Sequence, residues 1–193
     1  MKSKKGSLLI ASPGLLDPNF CRSVVFIAEH NEEGAFGLVL NSRADAKVAD
    51  LWSAISSEPT TSKAHAFVGG PVQKNAVLVL HGYADLGADT EPVVPGVFLG
   101  SEVELLGELL RRESVAETES PGQPARFRVF CGYSGWGKGQ LDGELKAGGW
   151  LTYPASADLV FHEEPDQLWS LVLKELGGVY RFFALMPRDP ENN

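Results

Sequence analysis

The chain has 193 residues, 44% of them hydrophobic, with 17 Lys and Arg against 25 Asp and Glu for a formal net charge of -8. That length fits a single domain able to bury roughly 70% of the surface it would expose unfolded, so no disulfide or metal is needed to hold a core. The acidic balance excludes the usual route to duplex DNA or an anionic membrane, since both draw affinity from Lys and Arg; the one basic cluster, Lys2, Lys4 and Lys5, reads as a solvated tail.

Residues 7–11 read as the first strand; Ser12-Pro13-Gly14 cuts the apolar run too short for a signal peptide. Residues 23–28 are apolar without alternation, as in a strand buried on both faces, and a polar loop over 29–34 returns the chain into a partner strand over 35–40. Val48, Leu51, Trp52 and Ile55 recur at helical spacing. Short strands follow over 66–68, 76–80 and 97–99, the first ending at Gly69-Gly70-Pro71. Ser101 and Glu104 have capping-box spacing ahead of a helix with a buried stripe of Val103, Leu106, Leu109 and Leu110. Residues 114–125, rich in Glu, Ser, Thr, Pro and Gly, read as a mobile internal loop. A strand over 127–131 leads into a glycine-rich turn, and residues 140–147 read as a short helix weakened by Gly143. Strands are expected near 151–153 and 159–161. A last helix follows, with Pro165 in its first turn, Leu168, Trp169, Val172, Leu173 and Leu176 as its stripe and Gly177 as its stop. Residues 188–193 form a polar tail. Strands do not alternate one for one with helices, so the order predicts a mixed α+β domain over residues 1–193 with a largely antiparallel sheet.

The segment Gly132-Tyr133-Ser134-Gly135-Trp136-Gly137-Lys138-Gly139 invites two catalytic readings and fits neither. A phosphate loop needs Ser or Thr after the lysine to hold magnesium, and Gly139 stands there. A nucleophile elbow around Ser134 needs glycine two residues on, and Trp136 stands there. The glycines flanking Trp136 leave the backbone unshielded, so the indole is expected to be partly accessible. The four histidines, His30, His65, His81 and His162, show no metal-ligand spacing. Cys21 and Cys131 lie far apart, without a CxxC pattern; two free thiols, Cys21 the more reactive, suit a reducing cytoplasm. No stretch approaches the ~20 apolar residues of a membrane helix.

Several motifs occur together and in one order. They are Leu9-Ile10-Ala11-Ser12-Pro13-Gly14-Leu15 with Asp17-Pro18-Asn19-Phe20; Glu29-His30-Asn31 through Gly34; Gly37-Leu38-Val39-Leu40-Asn41; Val68-Gly69-Gly70-Pro71-Val72; Gly132 to Trp136 with Gly139-Gln140-Leu141; and Trp150-Leu151. In this the chain resembles the YqgE/AlgH family of bacterial proteins over nearly its whole length. Ser42-Arg43 departs from the Arg-Pro common in that family, and Lys138 from its Pro or small residue. The resemblance implies a bifurcated sheet folded into a pseudo-barrel with about four flanking helices. It implies no established activity or cofactor. One member's name comes from a proposed role in transcriptional control.

The reading that follows is a non-catalytic binding or regulatory module with a protein or small-molecule partner, without cofactor or metal. Its candidate residues, from motif membership, are His30, Asn31, Asn41, Gly69, Gly70, Tyr133, Ser134, Trp136 and Gln140. The alternative is a hydrolase-like enzyme using Ser134 or a His/carboxylate set, which requires a histidine within hydrogen-bond reach of the serine.

Overall fold

The computed structural model describes residues 2–87, 91–119 and 126–186. Nine strands form one sheet: β1 (Ser7–Ala11), β2 (Val24–Asn31), β3 (Gly34–Val39), β4 (Arg43–Lys47), β5 (His65–Val68), β6 (Val72–His81), β7 (Phe98–Gly100), β8 (Phe127–Gly137) and β9 (Trp150–Pro154). Around it lie α1 (Val48–Ile55), α2 (Val103–Glu119), α3 (Gln140–Lys146), α4 (Ala157–Val160), a 3-10 turn (Pro165–Gln167), α5 (Leu168–Leu176) and α6 (Tyr180–Phe183).

Strand β8 is the branch point. Its C-terminal half pairs antiparallel with β3, from Gly137 opposite Gly34 to Ser134 opposite Gly37. Its N-terminal half pairs parallel with β5 on one edge and antiparallel with β6 on the other. The sheet divides near Gly132, whose φ is +70°; a Cβ there would come within 2.8 Å of the carbonyls of both Gly70 and Val72. Only glycine accommodates that backbone and that approach. The α+β class and the bifurcation are therefore present, but the expected pseudo-barrel is not. The strand path β4-β5-β8-β3-β2-β1-β9 runs open from end to end, with β6 and β7 branching from β8.

The core explains why no closure is needed. Side chains alternate across a strand, so Leu8, Ile10, Val24, Phe26, Leu38 and Leu40 point to one face, under Leu168, Trp169, Val172 and Leu173 of α5. Leu9, Ala11, Val25, Ile27 and Val39 point to the other, under Leu141 of α3 with Trp136 and Trp150. A third cluster seats α1 and α2 against β5, β6 and β8. Both faces are buried by helices, which a barrel achieves by curling on itself.

Other expectations shift locally. The expected strand over 159–161 is instead helix α4, because Ser156 caps it by accepting from the Leu159 N–H at 3.3 Å. Helix α2 continues to Glu119 through half of the expected loop, and residues 120–125 lie outside the described residues, as does the tail from 187 onward. Glu102 directly precedes the first residue of α2, Val103, and its carboxylate accepts from the Ser101 N–H at 2.9 Å, so Ser101 lies one position too early for the expected capping box. Val103 is 45% exposed and leaves the stripe to Leu106, Leu109 and Leu110. The expected loop over 29–34 is a tight turn, and with α4 and α6 the described helices number six rather than about four.

Candidate functional site

The motif residues turn out to be engaged within the chain. Trp136 is 6% exposed, not partly accessible. Its ring sits 6.1 Å from both Phe20 and Trp150. A single carboxylate oxygen, Glu144 Oε2, accepts from the Trp136 indole at 2.9 Å and from the Trp150 indole at 2.8 Å. The flanking glycines expose backbone, while α3 folds over the ring. Gln140 completes the clamp, accepting from the Gly137 N–H at 3.0 Å and donating to Glu144 Oε1 at 2.9 Å.

Ser134 is fully buried and donates to the Gly69 carbonyl at 3.1 Å. A hydroxyl so placed meets no substrate, and its hydrogen bond goes to a backbone carbonyl rather than to a histidine. Gly69 and Gly70 form the crossing of β5 over β8: a Cβ on Gly69 would lie 2.2 Å from the Gly132 carbonyl oxygen, and one on Gly70 2.3 Å from the Tyr133 backbone. Tyr133 packs on Phe36 with ring centroids 4.9 Å apart.

The remaining candidates also bond within the chain. Asn41 accepts from the Val24 N–H at 2.8 Å and donates to the Arg22 carbonyl at 2.9 Å, standing in for strand backbone where β2 begins. Asn31 shapes the β2–β3 turn by accepting from the Glu33 N–H at 2.8 Å. His30 accepts at Nδ1 from the Lys4 N–H at 3.0 Å and presents Nε2 at 4.0 Å from Asp142, tying the N-terminal segment to the hairpin. Asn31 and Trp136 do share one groove, of about 290 Å³, open and lined by Glu29, Glu33 and Phe36. The other candidates are not gathered there. Among the described residues no three His, Cys, Asp or Glu side chains converge as a metal site. Cys21 is exposed, whereas Cys131 is half-buried and its thiol is pushed up by burial.

A different cleft, of about 300 Å³, opens where β4, β5 and the N-terminal half of β8 meet the segment after α4. Its polar lining is Arg43, Lys63, His65, Arg128 and Glu163, and its walls include Val48, Phe67, Phe127, Val129, Phe161 and Pro165. Pairing places Arg43 across from Phe67, which brings its side chain to the rim of the cleft.

Arg128 is the anchor. It is 8% exposed, although it belongs to an otherwise apolar run. Its guanidinium donates through Nη1 to the Leu40 carbonyl at 3.1 Å and through Nη2 to the His162 carbonyl. The Phe67 ring lies 4.9 Å from its Cζ, within cation–π range. These contacts fix the group in place without neutralising it. Burial, and then the like charge of Arg43, pull its pKa down to about 10. It remains charged at neutral pH, against the cost of desolvation.

Three other arginines meet carboxylates, while Arg22 and Arg181 donate to backbone carbonyls. Arg112 pairs with Asp85 at 2.6 Å and Glu108 at 3.0 Å, Arg111 with Glu58 and Glu108, and Arg126 with Asp158. Among the described residues, Arg43, Lys63 and Arg128 form no ion pair, and neither does Glu163 on the same cleft. A chain of net charge -8 thus keeps three cations beside one carboxylate in this cleft, none of them in an ion pair among the described residues.

No motif marked this site. The one local signal is Arg128 between Phe127 and Val129, a charge where strand alternation calls for an inward side chain.

A family model described as AlgH-like matches residues 8–181. A UPF0301 protein of Chlorobaculum tepidum is 38% identical over 192 residues, covering 98% of this chain and 96% of the relative. One of Chlamydia pneumoniae is 36% identical over 185 residues, 95% of this chain and 93% of its own length. The solution structure of the AlgH protein from Pseudomonas aeruginosa superposes with a TM-score of 0.68 at 28% identity, covering 98% of this chain and all of that one (100%). A crystal structure of a Corynebacterium diphtheriae protein shares the fold with a TM-score of 0.72 at 22% identity, over 96% and 94% of the two chains.

Proposed function

The chain belongs to the AlgH-like family, and we propose that it is a non-catalytic binding module whose ligand is an anion held in the cleft between β4, β5 and β8. One observation carries this reading: Arg43 and Arg128 share a cleft, and neither is paired with a carboxylate among the described residues. Two like charges held together on a fold cost stability. A purely structural site would be better served by a carboxylate, as at Arg112, or by an apolar residue. A site that gives up stability in this way is what a binding function explains.

The buried Ser134 supports a binding role over a hydrolytic one. A regulatory role, transcription included, would pass through the loaded cleft to a protein or small-molecule partner. Direct binding to duplex DNA is disfavoured, because the cleft is one local patch on a chain of net charge -8 rather than a basic stripe. No described helix is long and apolar enough to cross a membrane, and a cytoplasmic setting fits the free thiols.

The test is thermal unfolding in inorganic phosphate, with chloride at matched ionic strength as reference, for the wild type and Arg43→Gln. Phosphate at tenfold its Kd should stabilise the wild type by about 1.4 kcal/mol. The variant should gain only the general salting effect. Equal gains in both proteins would remove the reading.

A further inference from the structure

Resting on that reading, we propose that the natural ligand is a small amphipathic organic anion, an oxyanion head on Arg43 joined to a flat apolar body laid between Phe127 and Phe161.

The head group follows from how the two guanidiniums differ. Nη1 and Nη2 of Arg128 are occupied by the Leu40 and His162 carbonyls, so this residue supplies fixed positive potential. Arg43 is exposed and forms no ion pair among the described residues, so its planar fork is open to a carboxylate or phosphate. Lys63 and His65 stand at the same rim. Lys63 adds point charge, which raises the rate of encounter.

The body follows from the walls. Phe161 is half-buried and lines the cleft beside Phe127 and Pro165, which the fold already covers. A bare inorganic anion would leave the exposed part of the Phe161 ring wet. An apolar body would cover it.

The size follows from the volume. About 300 Å³ is the lower end for ligand sites and holds roughly ten waters at about 30 Å³ each. That admits one ring and a head group inside the cleft.

Glu163 limits the charge the ligand can carry. Its carboxylate lines the same cleft yet lies outside ion-pair distance of the described cations. A ligand carrying a second anion there would be repelled, so the site selects a neutral or cationic tail.

Four probes separate the parts: phenyl phosphate, benzoate, inorganic phosphate and benzyl alcohol, titrated calorimetrically at ~150 mM salt. At least one of the two aromatic anions should bind tenfold or more tighter than both inorganic phosphate and benzyl alcohol, a difference of about 1.4 kcal/mol. Arg43→Gln should lower that affinity about tenfold or more. Phe161→Ala should weaken the aromatic anions while leaving inorganic phosphate unchanged. Inorganic phosphate binding as tightly as both aromatic anions would overturn the amphipathic ligand and leave the anion cleft standing. Arg43-independent binding, or none by any probe, would overturn both.

Discussion

The two halves of β8 are built on opposite principles. At its C-terminal end Ser134 and Trp136, with Gln140 beyond it, find their partners inside the chain, and one Glu144 oxygen serves two indoles. At its N-terminal end Arg128 finds carbonyls but no counter-charge, and Arg43 and Lys63 beside it remain unpaired among the described residues. Closure of polar groups within the fold marks architecture. Charge left over in a cleft is what the proposed anion would complete.

The largest test of that contrast is at the closed end. Trp136→Ala removes a ring buried among Leu9, Val25, Ile27 and Trp150. It should cost about 3–5 kcal/mol in urea unfolding. A loss under about 1 kcal/mol, with anion binding gone, would reverse the assignment of the two ends. Glu144→Ala is next. It strips the acceptor from two buried indole N–H groups, and it should cost about 2 kcal/mol, since an orphaned donor costs roughly 1–3 and this site is partly wet. Glu144→Gln, which retains an acceptor oxygen, should recover much of that loss; no difference between the two variants would mean that the clamp contributes little. The smallest effect is at the open end. Arg43→Gln removes an exposed charge that repels Arg128, so stability should rise, by no more than about 0.5 kcal/mol. A clear destabilisation would make Arg43 a structural residue after all.

Much of the frame is legible in the residues. The apolar runs at β1, β2 and β3 have the length and composition of buried strands, and the α5 stripe with its Gly177 stop leaves one reading. Two elements resist for physical reasons. Arg43-Ala44-Asp45-Ala46-Lys47 is an edge strand with one face in water, so it lacks the apolar run that identifies a strand. Leu159-Val160-Phe161 is too short for period to separate strand from helix, and the decision falls to the Ser156 cap.

The site resists more. Motif membership points to Trp136, Ser134 and the Gly69-Gly70 pair because those positions admit few alternatives sterically, which is a requirement of folding. The cleft draws Arg43, Lys63, Arg128 and Glu163 from four separate segments, and only the strand order brings them together. Nothing in their local sequence states that they meet.

The central claim, that β8 binds at its open end and folds at its closed one, is tested most directly by a ¹H–¹⁵N chemical-shift map of the wild-type chain titrated with inorganic phosphate. The account predicts saturable shifts centred on the amides of Arg43, Lys63, His65 and Arg128, with those of Gly34, Gly137 and Gln140 still. Shifts centred on Gly34, Gly137 and Gln140, with the cleft silent, would contradict it.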